Sequence, residues 1–213
     1  SPSLEHCIQH TTRLLNFVAE CRHWVSKRKA QLTSPKVSYL GLIITPNTQE
    51  MLPAWKQGVQ QIPFPKTKRD LLSFLGLVGY FWIWIANFAI IAKPLYEHTK
   101  GNLDQPLTPT PDLYHAFSHL KCALLQTPPL GLPIPLRPFH LYLHSSHNQA
   151  LGLLAQSMGD SLQPVAYFSK QLDHVALGWP GCLREVVATA LLVDETKQGC
   201  LEGLKTEPYM QLG

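Results

Sequence analysis

The sequence is poor in charge and lacks the repeats that define fibrous and modular folds. Only 15% of its 213 residues are charged, against 45% hydrophobic residues, so the chain is too apolar to be disordered. It has no Gly-x-y triplets, no sustained heptad and no repeat of fixed period, which excludes collagen-like, coiled-coil and solenoid architectures. Its eighteen prolines and thirteen glycines instead predict many short elements in a globular or membrane-associated protein.

Signals for secretion and for disulfide pairing are also missing. The first residues lack a basic start followed by an apolar stretch, and no Asn-x-Ser/Thr acceptor occurs in the sequence. The five cysteines are an odd number without a paired spacing. We therefore expect reduced thiols and an intracellular protein, either cytoplasmic or nuclear. Because there is no initiator methionine, we also expect a piece of a longer protein.

The sequence contains no recognisable catalytic motif. It has no Asp-Asp or Asp-x-Asp pair, no Gly-rich phosphate loop, no serine nucleophile elbow and no paired Cys-x-x-Cys. His115 and His119 have the four-residue spacing of two metal ligands on a helix, but no third ligand accompanies them. We therefore assign no catalytic residue, no metal site and no cofactor to this chain.

Basic residues are concentrated in one region. Nine Lys and Arg but only one acid, Glu50, lie between Arg22 and Arg69, whereas acids are in excess elsewhere, so the net charge of +4 hides a local excess of positive charge. A polyanion is the natural partner of such a region. A solvated basic surface without a ligand is the alternative.

Hydrophobic periodicity and turn residues predict a mixed α/β chain. The first helix, over 4–20, is amphipathic and is expected to pack on a sheet. No strand is expected after Lys197, which leaves the last sheet with an exposed edge. Helices are predicted over 4–20, 54–62, 111–126 and 182–194 and from Thr67 onward, and strands at 24–25, 37–44, 139–143, 151–156 and 165–169. The last helix is expected to bury a stripe of Leu183, Val186, Val187, Ala190 and Leu191.

The segment 71–92 contains twenty-two residues without a charge, the length of a transmembrane helix. Ser73, Gly76, Gly79 and Asn87 interrupt it, which favours a buried hairpin of two helices over insertion in a membrane. Thr67 precedes the run as a helix cap, with Asp70 three residues later in the position of a capping box.

The start of this run combines bases, small residues and aromatics. The bases can neutralise phosphates, two glycines three apart leave room for a nucleic-acid backbone, and the aromatics can stack on bases. The other interpretation is that the glycines serve helix packing and the aromatics fill the core. The residues concerned are Lys66, Lys68, Arg69, Gly76, Gly79, Tyr80, Trp82 and Trp84.

The same residues resemble a known family. Lys66-Thr-Lys-Arg-Asp-Leu-Leu-Ser-Phe-Leu-Gly-Leu-Val-Gly-Tyr-Phe-Trp and Pro94-Leu-Tyr-Glu-His-Thr-Lys resemble the thumb of gammaretrovirus-like reverse transcriptases, including endogenous retroviral copies. Lys36-Val-Ser-Tyr-Leu-Gly-Leu-Ile-Ile is similar to the primer-grip hairpin at the end of the palm. Ala123-Leu-Leu-Gln-Thr-Pro-Pro-Leu-Gly-Leu-Pro and Pro164-Val-Ala-Tyr-Phe-Ser-Lys-Gln-Leu-Asp are similar to the connection domain. Arg22 stands where the family tends to have a glycine.

The resemblance implies a fold and a partner. The fold would be a palm remnant over 1–48, a helical thumb over 49–105 and a truncated RNase H-like connection domain over 106–213. The partner would be an RNA/DNA or DNA duplex, and Mg²⁺ and the catalytic carboxylates would belong to the intact family enzyme, so that this fragment of an RNA-directed DNA polymerase would not catalyse. The residues implied in duplex binding are Leu40, Gly41, Leu42, Lys66, Lys68, Arg69, Gly76, Gly79, Tyr80 and Trp84.

Two other functions remain open at this point. The exposed edge of the connection domain would make the chain a protein-interaction module that binds the missing polymerase portions or another protein. Alternatively, segment 71–92 would attach the chain to a membrane.

Overall fold

The computed structural model describes residues 3–134, 137–146, 148–199 and 210–212. Their elements alternate between helices and short strands, which confirms the predicted mixed α/β class. The helices are α1 (Leu4–Glu20), α2 (Pro53–Gln61), α3 (Lys68–Gly79), α4 (Phe88–His98), α5 (Pro111–Leu125), α6 (His174–Leu177) and α7 (Gly181–Gly199). The strands are β1 (Val37–Tyr39), β2 (Leu42–Ile44), β3 (Thr48–Met51), β4 (Leu130–Gly131), β5 (Phe139–Ser146), β6 (Gln149–Met158), β7 (Ser161–Gln171) and β8 (Met210–Leu212).

The first sheet is antiparallel, with its four strands in the order β1-β2-β3-β4. The apolar run predicted as one strand over 37–44 is a hairpin, because Leu40 and Gly41 adopt φ angles of 47° and 82° and reverse the chain. The strand predicted at 24–25 is wrong, since this stretch has no regular structure and the side chain of Trp24 is 100% exposed.

The first hydrophobic core lies between this sheet and helices α2 to α5. Its fully buried side chains include Leu71, Leu75, Leu113, Leu120 and Leu130. Helix α5 and strand β4 contribute side chains to this core. Ile83, which follows α3, packs against both this core and the second one.

The uncharged run 71–92 is divided between two helices. Helix α3 ends at Gly79, a short 3-10 turn follows at Trp82–Trp84, and Asn87 starts α4 from a left-handed conformation with φ 61°. The predicted helical hairpin is confirmed. Within the described ranges, no helix has both the length and the apolar character needed to cross a bilayer.

The second core lies between a four-stranded sheet of order β7-β6-β5-β8 and helices α6 and α7. Strands β5, β6 and β7 are antiparallel neighbours, and β8 pairs with β5 in parallel over Phe139–Leu141. The prediction that no strand follows Lys197 is therefore wrong, and β8 covers part of the edge that was expected to be open.

Helix α7 faces its sheet with a different set of residues from the predicted one. Ala188, Leu192 and Thr196, spaced four apart, are buried, whereas Leu183 and Val186 are 48% and 64% exposed. Only Val187 and Leu191 of the predicted stripe pack against the core. Leu192 approaches the sheet where β6 carries a glycine, because a Cβ atom at Gly152 would lie 3.2 Å from its Cδ1 atom.

Helix α1 has the predicted bounds but not the predicted packing. Ser3 caps its start by accepting a hydrogen bond from the amide of His6, and none of its side chains is buried. The expectation that it packs on a sheet is wrong for the described part of the chain. The helix ends with a Schellman motif, in which the amides of Arg22 and His23 donate to Ala19 and Val18.

Candidate nucleic-acid interface

Helix α3 begins at the predicted capping box. The Thr67 hydroxyl oxygen accepts a hydrogen bond from the amide of Asp70 (3.1 Å), and the Asp70 carboxylate accepts from the amides of Thr67 (3.0 Å) and Lys66 (3.2 Å). A hydrogen bond with the Thr67 side chain and one with its backbone hold the pKa of Asp70 below its usual value. The cap fixes the direction in which α3 leaves the preceding segment.

One side of α3 faces the core and the other faces solvent. The buried side consists of Leu71, Phe74, Leu75 and Val78. The other side, called here the outer face of α3, carries residues spaced three and four apart, which lie in line along a helix. Its exposed members are Arg69, Leu72, Ser73, Gly76 and Tyr80.

The glycines of α3 open toward solvent. A Cβ atom built at Gly76 or at Gly79 would meet no atom within 4 Å outside the backbone of its own helix. By contrast, a Cβ atom at Gly41 would lie 3.3 Å from the ring of Trp55. The interpretation that Gly76 and Gly79 serve helix packing is therefore wrong, and their effect is to leave the middle of the outer face flat.

Two of the three bases predicted to contact phosphate are hydrogen-bonded to other parts of the chain. The Arg69 guanidinium donates to the Asp104 carboxylate, with Nη2 and Oδ1 2.8 Å apart. The Lys68 ammonium donates to the Lys100 carbonyl oxygen (2.6 Å) and the Gln105 side-chain oxygen (2.8 Å). These contacts bind α3 to the segment after α4.

The ammonium group of Lys66 is the member of this basic set that is left free. It forms no hydrogen bond or ion pair with any residue that the structure describes, and its side chain is exposed. The Asp70 carboxylate attracts the Lys66 ammonium, so an external anion competes with this charge but displaces no hydrogen bond of Lys66.

The aromatic residues after α3 have different environments. Tyr80 is 52% exposed and packs edge-on against Phe81, with ring centroids 4.8 Å apart. Trp84 is 5% exposed and lies in the first core beside Phe81, while Trp82 packs against Phe168 of the second core. The prediction that Trp84 contacts nucleic acid is therefore wrong, because its ring is not on the surface.

The predicted hairpin contact lies next to the end of the outer face. Leu40, at the tip, is 62% exposed, and the Gly41 carbonyl accepts a hydrogen bond from the amide of Leu52 (2.8 Å). Gly41 also faces Phe81, the ring that Tyr80 contacts. Gly41 and Tyr80 thus share Phe81 as a neighbour, whereas Leu42 is buried and supports the hairpin from inside.

Sequence reasoning missed the residues that hold the bases in place. Asp104 and Gln105 lie thirty-five and thirty-seven positions from their partners, in a segment that precedes the helix predicted over 111–126, and no local pattern marks them. No three His, Cys, Asp or Glu side chains within the described ranges converge on a common point to hold a metal ion. The residues that the structure describes therefore do not fit a Mg²⁺ site.

Relatives of this sequence are found among retroviral polyproteins. A family described as the RNase H-like domain found in reverse transcriptase matches residues 110–206. The Gag-Pol polyprotein of avian reticuloendotheliosis virus is 44% identical over 192 residues, which are 90% of this chain and 17% of that polyprotein. The Gag-Pol polyprotein of gibbon ape leukemia virus is 42% identical over 195 residues, 92% of this chain and 11% of that polyprotein. The chain thus spans less than a fifth of the length of these relatives.

Similar solved structures share the fold over the whole chain. The foamy viral protease-reverse transcriptase in complex with double-stranded DNA has a TM-score of 0.83 at 20% sequence identity, and the match covers 100% of this chain and 37% of that one. A foamy viral protease-reverse transcriptase in complex with an RNA/DNA hybrid also has a TM-score of 0.83 at 20% identity, and the match covers 100% of this chain and 28% of that one.

Proposed function

The chain is homologous to one segment of retroviral Pol polyproteins, and from this premise we propose that it binds nucleic-acid duplexes through the outer face of α3. The observation that carries the proposal is the opening of Gly76 and Gly79 toward solvent. A helix without side chains at these positions lets a phosphate or sugar backbone approach the helix axis closely. The duplexes bound by the foamy viral proteins of the same fold support this choice of ligand.

The outer face of α3 suits the groove of an RNA/DNA hybrid or another A-like duplex better than it suits a duplex with a narrow, deep groove. The minor groove of an A-form helix is wide and shallow, so a helix face that lacks side chains at Gly76 and Gly79 can lie along it. The twelve residues of α3 extend over about 18 Å, which is long enough to follow several base pairs.

Both ends of the outer face carry groups that suit such a ligand. Lys66 supplies an exposed cation before the start of the helix, and Tyr80 supplies an exposed ring after its end. In this proposal residues 49–105 act as the thumb, 1–48 are the palm remnant with Leu40 and Gly41 near a primer end, and 106–213 form the connection domain. Lys68 and Arg69 are supporting residues whose contacts with phosphates require them to leave Gln105 and Asp104.

We expect no polymerisation by these 213 residues alone. Two-metal phosphoryl transfer needs acidic side chains that converge on both ions, and the sequence has no Asp-Asp or Asp-x-Asp pair. Duplex binding is therefore proposed as the activity of this chain itself. The alternative is a protein-interaction module that binds a partner at an exposed strand edge. Less of this edge is exposed than the sequence suggested, because β8 covers part of the β5 edge.

The test is fluorescence anisotropy with a labelled RNA/DNA hybrid over a series of salt concentrations. Gly76→Leu places a side chain in the middle of the outer face and should weaken binding at least tenfold, while the helix itself becomes more favourable by about 0.5–1 kcal/mol. Gly58→Leu is the matched control, because Gly58 is also an exposed glycine with nothing near its Cβ position but belongs to another helix, α2. Lys66→Gln should reduce the log–log salt slope by about 0.9.

Two results would contradict the proposal. One is the absence of binding by folded protein at low salt. The other is equal affinity of wild type, Gly76→Leu and Gly58→Leu, which would show that the duplex contacts another surface.

A further inference from the structure

We propose that a cavity beside α3 is a binding site for a small aromatic anion, independent of the duplex. The cavity has a volume of about 440 Å³, within the range of about 300–1,000 Å³ that small-molecule sites occupy. It lies between the segment 62–65, helix α3 and helix α5. Its apolar lining comes from Ile62, Phe64, Phe74, Leu77 and Phe117, and Lys66, Asp70 and Ser73 stand at its polar side.

Three phenyl rings form the inner wall of this cavity. The ring centroids of Phe74 and Phe117 are 4.6 Å apart, and Phe64 stands almost perpendicular to Phe117 at 5.4 Å. Phe74 and Phe117 are buried in the first core, whereas Phe64 is only partly buried. Phe64 is therefore the ring that a guest contacts most, in the stacked or edge-on arrangements that aromatic pairs prefer.

The outer wall of the cavity is held in place before any ligand binds. The Lys121 ammonium donates a hydrogen bond to the Ile62 carbonyl oxygen (2.7 Å) and lies 5.8 Å from the centroid of Phe117. Pro63 and Pro65 further restrict the backbone of this segment. A wall fixed in this way lowers the entropy that a ligand loses on binding.

The hydrogen-bonding groups at the polar side favour an anion. The Lys66 ammonium has no hydrogen-bond acceptor among the residues that the structure describes. Asp70 is the opposing charge and attracts this ammonium, but its carboxylate already accepts hydrogen bonds from the amides of Lys66 and Thr67. The arrangement therefore suits a ring system that bears one sulfonate, carboxylate or phosphate group at its edge.

This site is distinct from the proposed duplex contact. Gly76, Gly79 and Tyr80 do not line the cavity, and only Lys66 and Ser73 border both surfaces. A test without nucleic acid therefore separates the two proposals, since each can fail while the other holds.

The test uses two dyes with the same aromatic skeleton. 8-Anilinonaphthalene-1-sulfonate carries an anionic group, and N-phenyl-1-naphthylamine lacks it. Fluorescence titration of the folded chain should show one saturable site that prefers the sulfonate by about threefold to fivefold, as expected for one exposed ion pair. Lys66→Gln should abolish this preference and leave binding of the neutral dye unchanged.

Lys93→Gln is the matched control, because Lys93 is an exposed lysine on α4 that does not line this cavity. Gly76→Leu should leave both dye affinities as in wild type. The proposal fails if the folded protein binds neither dye, if both dyes bind equally, or if the preference for the sulfonate survives Lys66→Gln.

Discussion

Arg69 and Asp104 form a salt bridge across the gap between α3 and the segment after α4, with 2.8 Å between the Nη2 and Oδ1 atoms. Both side chains remain largely exposed, at 62% and 71%. The bridge joins one of the bases expected to contact phosphate to an internal carboxylate. Duplex binding by Arg69 therefore competes with a contact inside the protein.

Asp104→Asn should increase affinity for an RNA/DNA hybrid. The change releases Arg69 toward phosphate, and one added contact steepens the log–log salt slope by about 0.9. Stability should fall by less than about 1 kcal/mol, because exposed ion pairs contribute little. Anisotropy titration measures the affinity, and Asp160→Asn, which removes an exposed acid from the β6–β7 turn, is the control for net charge. Unchanged affinity in Asp104→Asn would show that Arg69 does not reach the duplex.

The capping box of α3 should make stability depend on pH. The pKa of Asp70 is lowered in the folded chain, so its contribution is present above the unfolded value of about 3.9 and is lost as pH falls through the lower folded value. Asp70→Asn should therefore be less stable than wild type at neutral pH, and the difference should shrink in acid. Urea denaturation at a series of pH values measures both.

The Thr67 half of the same cap provides the comparison. Thr67→Val removes the hydroxyl at nearly constant volume and should cost about 1 kcal/mol at neutral pH. Because the Thr67 side chain is the first cause of the lowered pKa of Asp70, part of this loss should also disappear in acid. A pH-independent loss in Asp70→Asn would show that its carboxylate does not stabilise the helix through its charge.

The orientation of α7 predicts a contrast between two leucines. Leu192→Ala should destabilise the chain by about 2–5 kcal/mol, because it empties a fully buried position against β6. Leu183→Ala should change stability by less than about 0.5 kcal/mol, because Leu183 is half exposed. Denaturant midpoints for the two variants decide between this orientation and the stripe expected from the sequence.

The end of α1 should become more stable with a glycine. Arg22 holds a φ of 58° at the position where a Schellman motif normally has Gly, and the left-handed conformation costs other residues about 1–2 kcal/mol. Arg22→Gly should increase protection of the α1 amides from hydrogen exchange. Arg13→Gly, within the same helix, should destabilise the helix by about 1 kcal/mol and therefore decrease the protection of its amides. Equal effects of the two glycines would contradict the role of Arg22 in the cap.

The sequence predicted the features of the fold that depend on residues close together in the chain. The capping box at Thr67 and Asp70 involves residues three apart, and the interruption at Asn87 lies where a left-handed residue starts α4, so both could be read from the sequence. The face of α7 could not, because apolar residues surround most of that helix and the sheet selects among them. Strand β8 was missed for the same reason, since its pairing with β5 depends on a partner more than seventy positions away.

The candidate site likewise has features that follow from local sequence and features that depend on tertiary contacts. The outer face of α3 follows from helical spacing, and Gly76 and Gly79 were identified on it. The exposure of Tyr80 and the burial of Trp84 depend on which rings the two cores accommodate, and the engagement of Arg69 depends on the path of the chain around Asp104. Aromatic residues four positions apart thus have different environments, because of contacts that only the tertiary structure supplies.

Strand β4 pairs with β3, from which it is separated by more than eighty positions and by four helices. During synthesis the hairpin of β1 and β2 leaves the ribosome long before β4, so the fourth strand can join only after α2 to α5 have been made. Closing so long a loop carries an entropic cost, and non-local pairing of this kind slows folding. We therefore expect the first core to form late and as a unit, with the sheet completed by its last-synthesised strand.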